Sequence, residues 1–106
     1  MNDALLAENR SKRGQITTEE KKSFSKKPVD DLLQLLTSPT PSDRTGAAYA
    51  LGNVEPQVAV EPLCQQLSIE TQLYCRIAIA DALVNIGSPA VPWLIGLLGK
   101  IGSNQE

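Results

Sequence analysis

The segments VDDLLQLL (residues 29–36), VEPLCQQL (residues 60–67) and VPWLIGLL (residues 91–98) stand at equal intervals along the chain. Each carries apolar side chains at i, i+3, i+4 and i+7: Val29, Leu32, Leu33, Leu36; Val60, Leu63, Cys64, Leu67; Val91, Leu94, Ile95, Leu98. That spacing is one face of an α-helix. A second stripe, Ala47, Ala50, Leu51 and Val54, follows the first and recurs at nearly the same interval as Ile79, Ala82, Leu83 and Ile86. Pairs of helices that repeat in phase cannot bury their apolar faces alone and must stack. The fold class is therefore all-α, a short α-solenoid of about two and a half helix pairs.

Composition narrows the function. The chain has 106 residues, room for one small domain, and 4% aromatic content leaves burial to Leu, Ile, Val and Ala. It contains two cysteines, Cys64 and Cys75, and no histidine. Ser-His-Asp triads, Cys-His pairs and His-ligated metal sites all lose their central residue. No metal site or catalytic cluster is expected. No apolar run approaches the length of a membrane span, and the N-terminus has no signal-peptide core. The expected setting is the reducing cytoplasm.

Charge divides the chain. Residues 1–28 hold seven basic and four acidic side chains, while the remainder holds three basic and eight acidic ones. The first segment is expected to be a mobile basic arm, with a short helix at about 18–26 because Thr17-Thr18-Glu19-Glu20 has the form of a capping box. If that helix docks, it covers the open first edge of the stack. The acidic body argues against nucleic-acid binding. The solenoid is expected over 29–101 and a disordered tail over 102–106.

Local signals place the helices. A first outer helix is expected at 29–37, with Asp30 and Asp31 favourably placed at the positive end of its dipole. Ser42 is expected to cap an inner helix at 43–54. A second outer helix at 59–68 would hold Pro62 in its first turn, where no intrahelical bond is lost. A second inner helix at 70–86 would close on Gly87 in the left-handed conformation. Ser88-Pro89 then reads as an N-cap and first helical residue of a third outer helix at 89–101. Alanine-rich inner helices imply close backbone approach, so Ala50→Leu or Ala82→Leu should overpack the stack at a cost of about 1–3 kcal/mol. Asn53 and Asn85, at matching places in the two inner helices, are expected to tie down the turns that follow them.

Arg44-Thr-Gly-Ala-Ala-Tyr-Ala-Leu-Gly-Asn-Val54 followed by Ala59-Val-Glu-Pro-Leu63 resembles the HEAT-like repeat of the phycobilisome-lyase type. That pattern runs Arg, paired alanines, Ala-Leu-Gly-x-Ile-Gly, then Ala-Val-x-Pro-Leu. Arg76, Ala80, Ala82-Leu83, Ile86-Gly87, Ala90-Val91 and Leu94 repeat it, while Glu55 and Val84 stand where the pattern carries glycine. The resemblance implies HEAT-like helical repeats. It also implies a role as a subunit or fragment of a bilin lyase or another chromophore-handling assembly, with a linear tetrapyrrole as transient ligand. Iron hydroxylases built on such repeats need His-Glu pairs, and DNA-repair members need a basic concave groove; neither is present here.

Candidate contact residues come from the side of each inner helix opposite its stripe. At 100° per residue Thr45, Tyr49 and Gly52 point away from the first stripe, and Ile77, Asp81 and Val84 from the second. Leu73, Ile77 and Val84 give the second inner helix an extra apolar side, and Trp93 also lies off the stripe. Either the third outer helix or the N-terminal arm folds over this patch, or the patch binds another protein or a second copy. Arg44 and Arg76 begin successive inner helices as anion ligands or, structurally, as partners of loop carbonyls and of acids such as Asp43. Cys64 reads as a small buried hydrophobe. Cys75, beside Arg76 near a helix start, reads as the more reactive thiol. The expected function is a non-enzymatic protein-binding module acting through its inner-helix face and open C-terminal edge, without a cofactor; homo-oligomerisation through that edge is the alternative occupancy.

Overall fold

The computed structural model describes residues 13–93, 95 and 96. Within them the chain forms helices only: α1 (Thr18–Ser25), α2 (Val29–Leu35), α3 (Pro41–Leu51), α4 (Pro56–Ile69) and α5 (Leu73–Ile86). A 3-10 turn at Ser88–Ala90 leads into helical residues 91–93 and 95–96. Helices α2 and α3 make one pair and α4 and α5 the next. The inner helices α3 and α5 pack side by side, α1 packs on α3, and α2 and α4 lie behind them. This is the short helical solenoid expected from the repeat.

The first two stripes meet in one core. Leu32 and Leu36 of the first, and Val60, Leu63 and Cys64 of the second, are buried against Ala47, Ala50, Leu51, Ile79, Ala82 and Leu83. Removing a buried leucine such as Leu63 from water contributes on the order of 2 kcal/mol. The third stripe differs: Val91 and Ile95 are exposed, and no further inner helix lies among the described residues to receive them. Leu94 and Leu98 lie outside the described residues, as do the start of the expected arm, before Arg13, and the expected tail at 102–106.

Helix α1 carries the capping box: the Thr17 hydroxyl accepts from the Glu20 amide at 3.1 Å, and the Thr17 amide donates to Glu20 Oε1 at 3.1 Å. Its Phe24 ring lies directly on Gly46, so closely that a methyl group there would collide with the ring. The short helix therefore docks on α3 through Phe24.

Proline, more than serine, sets the helix starts. Helix α3 begins at Pro41 behind Thr40, with Ser42 already inside it, because proline's fixed φ suits the first helical position. Helix α4 likewise begins at Pro56 instead of residue 59. That earlier start puts Pro62 in the helix interior, where it forfeits one intrahelical bond, so the expectation of a cost-free proline fails. Helix α5 begins at Leu73, later than expected, because Glu70 is extended (ψ 129°) and its side chain serves the turn. Gly87 does close α5 with positive φ (79°), but its ψ of −132° lies outside the left-handed helical region. Ser88 makes no side-chain cap, so the Ser-Pro signal produces a 3-10 turn instead.

Candidate functional site

The helix-initial arginines have structural partners. Arg44 straddles Glu70 with two parallel bonds, Nε to Oε1 at 2.8 Å and Nη2 to Oε2 at 3.0 Å, and donates from Nη1 to the Ser38 carbonyl at 2.8 Å. Asp43, the acid nearest in sequence, instead accepts from the Ser38 hydroxyl at 3.0 Å. Glu70 also accepts from Gln66 Nε2 and from the amides of Thr71 and Gln72, at 3.0, 3.2 and 3.1 Å. Burial pushes the Glu70 carboxyl up, but the bonds from Arg44, Gln66 and the Gln72 amide outweigh it and hold the group below its ordinary value. Arg44 is correspondingly raised, chiefly by its bond to Glu70. One repeat on, Arg76 Nη1 reaches the Glu70 carbonyl at 3.4 Å, the equivalent of the Arg44–Ser38 bond. Arg76 itself is exposed.

The asparagines also work in series. Asn85 Nδ2 donates to the Gly52 carbonyl at 2.8 Å and to Asn53 Oδ1 at 3.1 Å. Asn85 thus ties down the turn of the preceding repeat instead of its own.

Cys75 is not the reactive thiol expected. It is fully buried, donates to the Pro41 carbonyl at 3.2 Å and receives the Thr45 hydroxyl at 3.2 Å. Burial pushes its pKa up and outweighs the lowering by Thr45 and Arg44. Cys64 is buried and raised for the same reason. Neither thiol is poised as a nucleophile.

Of the proposed contact residues, Tyr49 and Asp81 come together. With Lys21, Gly52, Asn53 and Asn85 they line a shallow groove of about 320 Å³ between α1, α3 and α5. The Lys21 ammonium stands 4.1 Å from the centre of the Tyr49 ring, a cation–π contact. Burial, then the Asp81 charge and hydrogen bond, push the Tyr49 phenol above its ordinary value. The groove is therefore a half-buried aromatic floor with a cation on one rim and a carboxylate on the other. It offers hydrogen-bond donors and acceptors from Lys21, Tyr49, Asn53, Asp81 and Asn85. Lys21 does not stand out in the sequence because it sits in a run of charges; the capping box is the signal that its helix is ordered.

Thr45 and Gly52, expected to share the outward side with Tyr49, are buried where α3 meets α5. Their side is not free because α5 covers it. Leu73, Ile77 and Val84 lie exposed along α5. Trp93 is placed apart from them, in a second groove of about 370 Å³ with Pro56, Gln57, Val60, Glu61 and Pro89 on the α4 side.

The family model for HEAT repeats matches residues 29–101, about two thirds of the chain and every helix from α2 onward. This chain is a HEAT-repeat protein. Comparison with curated proteins and with solved structures gave no match. The phycobilisome-lyase subtype of HEAT repeat rests on the sequence resemblance alone. Among the described residues of this HEAT-repeat protein there is no cluster of metal-ligating side chains, and no helix is long and apolar enough to cross a membrane.

Proposed function

We propose that this HEAT-repeat protein is a non-enzymatic cytoplasmic scaffold that binds a protein partner through its inner-helix face and its open C-terminal edge. One comparison supports the reading. Thr45 on α3 and Ile77 on α5 occupy the same position in successive repeats; Thr45 is 2% exposed because α5 covers it, whereas Ile77 is 42% exposed. Leu73 and Val84, on the same side of α5, are 64% and 78% exposed. Apolar surface left open at a position suited to stacking is characteristic of an interaction site. The groove beside it supplies polar specificity, and the partner would lie across Tyr49 and Asp81 while its apolar residues meet Ile77 and Val84.

The alternative implied by the resemblance, a bilin lyase subunit or fragment carrying a linear tetrapyrrole, gains nothing from the two buried thiols. Its check is a change in visible absorbance on mixing the protein with a bilin.

The scaffold reading is tested by capture from the lysate of the source organism on immobilised full-length chain. Ile77→Asp and Asp81→Ala should each lose the same captured protein while retaining the helical circular dichroism of the parent. Identical capture by parent and both variants would overturn the assignment of this surface.

A further inference from the structure

We propose that the open face of α5 is a two-fold seam at which a second copy of this chain docks with its α5 parallel to the first. The inference rests on the reading of the C-terminal edge as an interaction surface and assigns its occupant. Six side chains make the face: Leu73, Arg76, Ile77, Ala80, Asp81 and Val84, with Leu73, Ile77 and Val84 its large exposed apolar members. Their spacing is that of a coiled-coil seam. Ile77 and Val84 take the a positions and Leu73 and Ala80 the d positions; β-branched residues at a with leucine at d favour two parallel strands, and here one d position carries that leucine while the alanine at the other allows close approach. Arg76 then falls at g and Asp81 at the following e, five residues on.

The flanking charges decide the orientation. On a helix drawn at 100° per residue Arg76 and Asp81 lie on opposite sides of the apolar line. A two-fold axis perpendicular to α5 would make the helices antiparallel and bring both Arg76 side chains to one flank of the seam and both Asp81 side chains to the other. A two-fold axis along α5 makes them parallel and sets each Arg76 beside the Asp81 of the other copy, twice over. Only the second arrangement is complementary in charge as well as apolar at its centre. Arg76 uses one donor on the Glu70 carbonyl, and Asp81, although it faces Tyr49 across the groove, is exposed and keeps acceptor capacity for a second partner. The opposite side of α5, with Cys75, Ala78, Ile79, Ala82 and Leu83, is buried in the stack, so the body of each copy lies behind the seam. A 14-residue helix is about 21 Å long, a seam shorter than those of obligate dimers, so association should be reversible and concentration-dependent. The seam leaves the Tyr49 ring, on α3, to face the groove.

Sedimentation equilibrium of the full chain over a broad concentration series tests this. The expected mass rises from 11.4 kDa toward twice that value. Arg76→Glu alone and Asp81→Lys alone should each weaken association by about tenfold, since two attractive contacts become repulsive. The double variant, or an equimolar mixture of the two single variants, should restore it. Val84→Cys should form a disulfide between copies under mild oxidation, because the parallel seam places this position against itself, whereas Cys64 and Cys75 are buried. A parent chain that stays at 11.4 kDa throughout overturns the proposal. So does a dimer that ignores the single charge reversals or is not restored by the double one, which would point to the antiparallel pairing. A monomer whose capture of another protein is still abolished by Ile77→Asp would sink the dimer while retaining the scaffold reading, with a foreign helix as occupant of the seam.

Discussion

Glu70→Gln should destabilise this HEAT-repeat protein by about 3 kcal/mol and lower its melting temperature by more than about 10 °C. The carboxylate does two jobs. It neutralises Arg44, whose side chain is only 12% exposed against 1% for Glu70, and it receives the amides of Thr71 and Gln72 where the chain enters α5. The amide of glutamine would leave the guanidinium unpaired and turn an N–H group toward donors. Arg44→Met should cost less, because the carboxylate would keep Gln66 and both amides as partners. Denaturant melts of the two variants decide: if Arg44→Met is the more damaging, Glu70 serves only as a counter-ion and the turn-capping role is wrong.

The same pair sets an acid limit. The Glu70 carboxyl is lowered in the folded chain from an unfolded value near 4.5, so between the folded and unfolded values the unfolded chain binds more protons. Its contribution is complete above the unfolded value and is lost as pH falls through the folded one. Stability measured at decreasing pH should therefore drop below about pH 4.5, and the gap between parent and Glu70→Gln should narrow over that interval. A gap that stays constant down to the bottom of the range would mean that Glu70 is not held below its ordinary value.

Much of the fold is legible because repetition samples one pattern several times. A stripe of Leu and Val that returns at Val29, Val60 and Val91 identifies a helix face even where one copy is imperfect. The partner of Arg44 is not legible, since Glu70 lies far along the chain and no period links them; Asp43, the near neighbour, is the natural but mistaken choice. The docking of α1 is half visible. Its capping box shows a helix, but Phe24 against Gly46 is a match of one large and one absent side chain, which leaves no trace in a periodicity. The outward side of α3 misleads for a related reason. A single helix has one inside and one outside, whereas an inner helix of a solenoid has neighbours on both flanks, so Thr45 and Gly52 are covered and only α5 keeps the open side that the pattern suggests for both.

Gly52→Val is expected to cost about 3 kcal/mol or more, the larger of the packing effects, because it forces main chain away from main chain. A Cβ at residue 52 would stand 2.9 Å from Ala82 Cα, 3.1 Å from Ala82 Cβ and 3.3 Å from the Tyr49 carbonyl. A flexible side chain could swing aside; the α5 backbone cannot. Overpacking of this kind costs about 1–3 kcal/mol, and the displaced Gly52 carbonyl would also surrender its bond from Asn85, worth about 1 kcal/mol more. Ala82→Gly should rescue little, since it removes the atom at 3.1 Å but leaves the Cα at 2.9 Å and adds about 1 kcal/mol of helix cost. The groove should open as well: moving α5 off α3 separates Asp81 from Tyr49, so the tyrosine would titrate closer to its ordinary value. Urea unfolding and an ultraviolet titration of tyrosine read both effects together. Stability within about 1 kcal/mol of the parent would mean that α3 and α5 are not locked at this contact.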